Sequence, residues 1–351
     1  MESQFAIIRL GNHQQLKAVN AYITKMDVTK LAAIPFLNHA ELPGRFLCSS
    51  LFYDGEWHGW IEAGDQMIKV QMWPAETLYF GTQAERKTDL CLRFLNLIAQ
   101  RLSCYPLGKK LFALQVDVCN LAASLAKIQL LHRSRKEIPH GVSRMVATEI
   151  EYLHSVCRSI FDLWQEVVAT VWDGIKLLDT ETKKRQLKQS YAGMLFSSNK
   201  PRTTQELVDW FGIPPPLAEC YTRSTTFFTD LREFRDRILH QGGEPPPIFD
   251  DESGFLVSAA RVPFRGLDIW RPEERHPNDL VPLLPVLNYA IYRTLAICNE
   301  FGQTIEGIFQ LPPPIVPNFW LQLRGYFDEV LVGALADIDS RLHPRSASNA
   351  T

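Results

Sequence analysis

Residues 142–178 read VSRMVATEIEYLHSVCRSIFDLWQEVVATVWDGIKLL. Val146, Ile150, Leu153, Cys157, Ile160, Trp164, Val167, Val171 and Ile175 recur in steps of four and three. That spacing places one apolar stripe on one face of an α-helix, and it predicts a helix from about Val142 to Leu178, roughly 50 Å long at 1.5 Å per residue. A stripe of that length has to be buried along a partner, which predicts a helical bundle. Residues on either side extend the pattern. Stretches 84–104 and 109–133 are rich in Leu, Ala and Lys at helical spacing and are separated by Tyr105-Pro106-Leu107-Gly108. Thr203-x-x-Glu206 is a capping box that opens a short helix, and Gly212 stops it. Pro214-Pro215-Pro216 opens a further helix, where a first-turn proline loses no hydrogen bond. Its stripe is Leu217, Cys220, Phe227, Leu231, Phe234 and Ile238, and Gly242-Gly243 ends it. Stretches 281–309 and 318–342 are predicted as two more helices, and 346–351 as a disordered tail.

Strand signal concentrates in the first eighty residues. Segments 44–53 and 56–62 meet across the hairpin dipeptide Asp54-Gly55, and 66–73 follows Gly64-Asp65 with alternating polarity. These predict a three-stranded antiparallel meander preceded by an amphipathic helix near 13–26. The fold class expected is therefore α+β: mainly an α-helical bundle, preceded by a small N-terminal α/β part with an antiparallel meander. The proline-rich excursion 244–279 carries a candidate strand at 255–262. The expected organisation is an α/β part over 1–82, a helical connector over 83–140, a helical domain over 141–306, a C-terminal helix over 315–343 and a tail over 344–351.

Composition narrows the function classes. The 351 residues are 46% hydrophobic and 22% charged, with a formal net charge of −2. A nucleic-acid contact must then come from a local basic patch, because no global positive field exists to supply it. No apolar run approaches 18 residues, and MESQFAIIRLGNHQQ lacks the order of a signal peptide, so a soluble, cytoplasmic protein without a membrane partner is expected. The seven cysteines are scattered without a CxxC pair, which predicts reduced thiols. The chain contains no GxGxxG, phosphate loop, GxSxG or HExxH, so neither cofactor nor metal is expected. His154 and Cys157, at i and i+3, read better as packing residues than as metal ligands, since no second ligand pair has matching spacing.

The candidate chemistry lies in Leu231-Arg-Glu-Phe-Arg-Asp-Arg-Ile-Leu-His240. An Arg followed by His at four to six intervening residues occurs at Arg133–His140, Arg135–His140, Arg235–His240 and Arg271–His276. His140 follows Pro139 and Arg271 precedes Pro272, so only Arg235–His240 lies in a strongly amphipathic helix just before a glycine stop. Arg235, the polar Asp236, three residues and His240 resemble the Arg-(Asn/Asp/His)-x3-His signature of the HEPN superfamily, and the resemblance extends over about residues 141–306. It implies a HEPN-like helical bundle. It also implies metal-independent cleavage of RNA, as in nucleases of toxin–antitoxin and defence systems, at a site formed where two such domains dimerise. An antitoxin or another defence-system protein would then be a partner.

Geometry agrees with a paired site. Residues five apart on a straight helix differ by about 140°, so Arg235 and His240 do not stack, and a joint site needs a loosened last turn or a second copy of the helix. Cleavage without metal needs a base for the 2′-hydroxyl and a cation near the phosphate; His titrates nearest neutrality, and Arg can grip two phosphate oxygens. A solvated, dipole-compensating last turn is the plainer reading of the same residues. On the long helix, His154, Arg158, Asp162 and Glu166 follow at four-residue steps behind Glu149 and Glu151. Such pairs ordinarily support an exposed helix face. The resemblance adds a sharper alternative, in which Glu151, Arg158 or Asp162 faces and orients the Arg–His helix. The basic stretch Lys183-Lys184-Arg185-Gln-Leu-Lys188 and the cluster Arg133, Arg135 and Lys136 are candidate RNA contacts. Two other readings stand beside the nuclease. One is a non-catalytic HEPN-like module whose N-terminal part binds a protein or small ligand; the other is an unrelated helical adaptor.

Overall fold

The computed structural model describes residues 31–36, 47–53, 57–63, 66–71, 76–84, 86–102, 107–138, 140–261 apart from 241–246, and 264–343. Of 31–71, 77 and 234–240 it describes the backbone alone. The strands are β1 (Leu31–Phe36), β2 (Leu47–Tyr53), β3 (Trp57–Ala63), β4 (Gln66–Gln71), β5 (Thr77–Gly81), β6 (Phe196–Ser197), β7 (Lys200–Pro201), β8 (Phe249–Asp250), β9 (Phe255–Ser258), β10 (Leu280–Pro282) and β11 (Trp320–Arg324). The helices are α1 (Arg93–Arg101), α2 (Gly108–Arg133), α3 (Val142–Gly174), α4 (Tyr191–Leu195), α5 (Thr204–Phe211), α6 (Pro215–His240), α7 (Leu284–Ile308) and α8 (Asp328–Leu342). The chain is thus α+β and mainly helical. It divides into two compact units, one of Met1–Gln115, Thr170–Thr180 and Ile305–Tyr326, the other of Val116–Ala169, Glu181–Thr304 and Phe327–Thr351.

In the first unit β1 to β4 form an antiparallel sheet in chain order, so the expected meander is present with β1 added at its edge. β11 pairs antiparallel with β5, with Leu321 opposite Phe80 and Leu323 opposite Leu78. This corrects the expectation of one helix over 318–342. Residues 320–324 are enclosed by Pro317 and Gly325 and complete a sheet with β5, and the helix begins only at Asp328. A second correction concerns 84–104, where helix starts only at Arg93. Ahead of it the chain turns so that Asp89, fully enclosed, accepts from Arg324 Nε at 2.8 Å, from the Tyr79 hydroxyl at 2.5 Å and from the Arg86 N–H at 2.8 Å.

The second unit is a helical bundle. α6 runs antiparallel to α3, because the Tyr221 hydroxyl donates to Gln165 Oε1 at 2.6 Å while Phe228 packs on Phe161 at 5.6 Å between centroids. α6 is also antiparallel to α7: Cys220 meets Thr304, Arg223 pairs with Glu300, and Phe227 meets Tyr289. The buried rings of Phe161, Tyr191, Tyr221, Phe228 and Phe301 fill the space enclosed by these helices. α2 joins α3 through Glu149, which accepts from Ser124 Oγ at 2.6 Å and Lys127 Nζ at 2.8 Å. The candidate strand at 255–262 is present as β9, the centre of a three-stranded sheet of order β10-β9-β8 in which β8 and β9 come from the proline-rich excursion. α2 is long and apolar enough to cross a membrane, but 61% of its most apolar window is buried, as in a core helix.

Local sequence accounts for the smaller elements. The Thr203 hydroxyl accepts from the Glu206 N–H, and the Glu206 carboxylate accepts from the Thr203 N–H, so the capping box opens α5. Gly212 closes it in the left-handed region at φ 67°. Ser198 and Asn199, both at positive φ, make the tight turn of the β6–β7 hairpin.

Candidate functional site

The backbone carries Arg235, Asp236 and His240 in the last two turns of α6, and their side chains lie outside the described ones. From Phe228 to His240 the α6 axis advances about 18 Å at 1.5 Å per residue. Since Phe228 sits on Phe161 and α3 runs the other way, the same distance along α3 from Phe161 reaches Glu149–Glu151. Arg235 falls about level with His154. The end of α6 that bears the motif and the Glu149–His154 part of α3 thus occupy one end of the bundle, whereas Asp162 lies level with Phe227, about two turns before Arg235.

That seam does not act as one face. His154 is 6% exposed and donates from Nδ1 to the Ile150 carbonyl at 2.8 Å. Burial pulls its imidazole down to about 4, against the Ile150 hydrogen bond, which favours the charged form. At neutral pH it is a neutral core histidine, although four-residue spacing aligns it with the part-exposed Arg158, Asp162 and Glu166. Arg158 Nε stands 3.9 Å from Asp162 Oδ2, and Asp162 Oδ1 accepts the Tyr191 N–H at 3.1 Å at the start of α4. Asp162 therefore holds a backbone turn as well as pairing along its own helix. Glu151 is part-exposed.

The basic residues separate into held and open ones. Arg135 pairs with Asp250 at 2.8 Å and donates to the His132 carbonyl, which ties the end of α2 to β8; Arg133 and Lys136 are exposed. In the second cluster Lys183 and Lys188 are exposed, Lys184 is half-buried, and Arg185 donates to the Asp209 carbonyl at 2.7 Å. This stretch is a pinned strap. The Arg185 N–H donates to the Phe211 carbonyl, the Lys188 carbonyl accepts from Gln165 Nε2, and the Lys183 carbonyl lies against Gly212, where a Cβ would stand 2.2 Å from it. Further along the chain Arg202 is buried, donating to the Gly193 and Met194 carbonyls and stacking on Trp210 and Phe211.

Two features of this unit escaped the sequence reading. One is a buried polar group in the core, where Tyr191 and Ser224 share a hydrogen bond at 2.6 Å beside the Tyr221–Gln165 pair. The other is an acidic groove of about 1040 Å³ between the β8–β9 turn, the start of α7 and α8. The runs Asp250-Asp251-Glu252 and Glu273-Glu274 were its visible signal, inside a stretch read as a proline-rich loop. Among the described residues no group of three or more His, Cys, Asp and Glu side chains is placed to hold a metal. Models of known protein families, curated proteins and solved structures all fail to match the chain.

Proposed function

We propose that the chain is a HEPN-type, metal-independent endoribonuclease acting as a homodimer. The observation that carries this reading is the placement of Arg235-Asp236-x3-His240 at the C-terminal end of α6, a bundle helix flanked antiparallel by α3 and α7. His240 takes the proton of an RNA 2′-hydroxyl, and the 2′-oxygen attacks the adjacent phosphorus. The P–O5′ bond breaks, the second His240 of the dimer returns a proton to the leaving 5′-oxygen, and the products are a 2′,3′-cyclic phosphate and a 5′-hydroxyl. Arg235 holds the non-bridging oxygens, whose charge grows in the transition state. His154, held neutral in the core, supports the choice of His240 as the base at this end of the bundle. Of the candidate RNA contacts, Lys183, Lys188, Arg133 and Lys136 are exposed to solvent.

His240→Ala and Arg235→Ala each abolish RNA cleavage in this reading while the melting temperature holds. Phe228→Ala is the control, and it lowers the melting temperature because the ring is buried among Phe161, Tyr191 and Phe196. Cleavage surviving either motif substitution sinks the assignment. A second reading, a non-catalytic helical binding module, is favoured by the acidic groove and by the engagement of Arg135 and Arg185 within the fold.

A further inference from the structure

The acidic groove lies within the second unit and is lined by Asp251, Glu252, Glu273, Glu274, Glu329 and Asp337. Arg341 answers two of them, bonding Glu274 through both terminal nitrogens at 2.7 Å and Asp337 through Nε at 2.9 Å. Arg271 reaches Asp337 from the rim at 3.8 Å, and Asp251 is occupied by the N–H and hydroxyl of Ser253. Six carboxylates against these two guanidinium groups leave an excess of four negative charges. Glu252, Glu273 and Glu329 are exposed, and their carboxylates make no hydrogen bond or ion pair among the described residues. Such a surface repels phosphates and attracts cations.

A different kind of observation comes from the floor. Asn288, on the second turn of α7, is 9% exposed, lines the groove, and its carboxamide has no hydrogen-bond partner among the described residues. The residue is nine-tenths buried, and its unpaired carboxamide opens onto the groove. A carboxamide both donates and accepts, which matches the C=O and N–H of a peptide backbone. Around it Leu284, Pro285, Val330 and Ala334 supply apolar surface for the stems of long side chains. The volume lies at the upper end of small-molecule clefts, which run to roughly 1,000 Å³, and it suits several residues of extended chain.

We propose that this groove is the docking site for a Lys/Arg-bearing peptide segment of a partner protein. Asn288 pairs with the peptide backbone, and Glu252, Glu273 and Glu329 receive the cationic side chains. None of the groove's lining residues belongs to the Arg235–His240 motif, so the proposal stands whether or not the chain cleaves RNA.

The test is fluorescence anisotropy on the full chain with a labelled eight-residue peptide alternating Arg and Leu, against a counterpart alternating Glu and Leu. Binding of the basic peptide alone is expected. The triple variant Glu252→Lys, Glu273→Lys, Glu329→Lys should weaken it at least tenfold and flatten its salt dependence. Asn288→Leu, close in volume, should weaken it about tenfold with the salt slope kept. A circular-dichroism melt checks each variant's fold, and RNA cleavage, measured in parallel, should not change. Absence of basic-peptide binding at millimolar concentration overturns the proposal. So does an Asn288→Leu variant that binds as wild type while the triple variant fails, because that pattern is diffuse charge attraction rather than a peptide site.

Discussion

Lowering the pH from 7.5 to 5.0 should destabilise the chain through His154, and the size of the effect follows from its burial. The side chain is 6% exposed and its pKa is pulled down to about 4, whereas in the unfolded chain it returns to about 6.5. The folded pKa of a base is thus depressed, so the unfolded state binds the proton first and stability falls as pH drops from about 6.5 towards 4. At pH 5.0 the unfolded imidazole is almost fully protonated and the folded one almost not, which is worth about 2 kcal/mol. His154→Gln is less stable at pH 7.5 because a glutamine packs the imidazole's space imperfectly, but it lacks the titration. Urea unfolding of both proteins at pH 7.5 and 5.0 isolates the effect, because other titrating groups are shared and cancel in the difference. Wild type should lose about 2 kcal/mol more than the variant across this interval. Equal losses, or an imidazole titrating near 6.5 by NMR, would refute the buried neutral assignment and return His154 as a competing base beside His240.

Other perturbations test neighbouring parts of the account. Arg324→Ala leaves the enclosed Asp89 carboxylate without its guanidinium partner and should cost about 3 kcal/mol in chemical denaturation, with Asp89→Asn in the same background recovering part of it. Gly212→Ala forces a side chain into φ 67° and a Cβ to 2.2 Å from the Lys183 carbonyl, so the melting temperature should fall by several degrees and trypsin should cut the strap at Lys183–Arg185 sooner. Replacing Lys183, Lys184, Arg185 and Lys188 together by Ala should weaken RNA binding and lower the slope of log K against log salt, by about 0.7 for each phosphate no longer neutralised.

Where periodicity and punctuation agreed, the fold was legible in the sequence. The stripe from Val146 onward became α3, Thr203–Glu206 and Gly212 delimited α5, and the Pro214–Pro216 run opened α6. The far end of the long stripe was not, because past Gly174 the backbone turns to pair with another segment, Leu178 N–H with the Ile308 carbonyl and Gln310 N–H with that of Lys176. β11 was hidden for the same reason. Its identity depends on β5, more than two hundred residues away, and no local window of Trp320–Arg324 contains that partner. The burial of His154 was legible in part: its pairing with Cys157 read as packing, whereas its place in the four-residue row counted it with a solvated face, because that step does not tell a solvent-facing row from one at the edge of the core. The predicted helix over 13–26 and the Gly242-Gly243 stop lie outside the described residues, as does the 346–351 tail.

The central claim, RNA cleavage by Arg235 and His240 without metal, is tested most directly by the products of a single incubation. A 5′-labelled single-stranded RNA is treated with the purified wild-type chain in EDTA, and the fragment ends are read by mass spectrometry beside His240→Ala prepared identically. Fragments ending in 2′,3′-cyclic phosphate with wild type, and none with the variant, are expected. Intact RNA with wild type, fragments produced equally by the variant, or activity lost in EDTA would each contradict the claim.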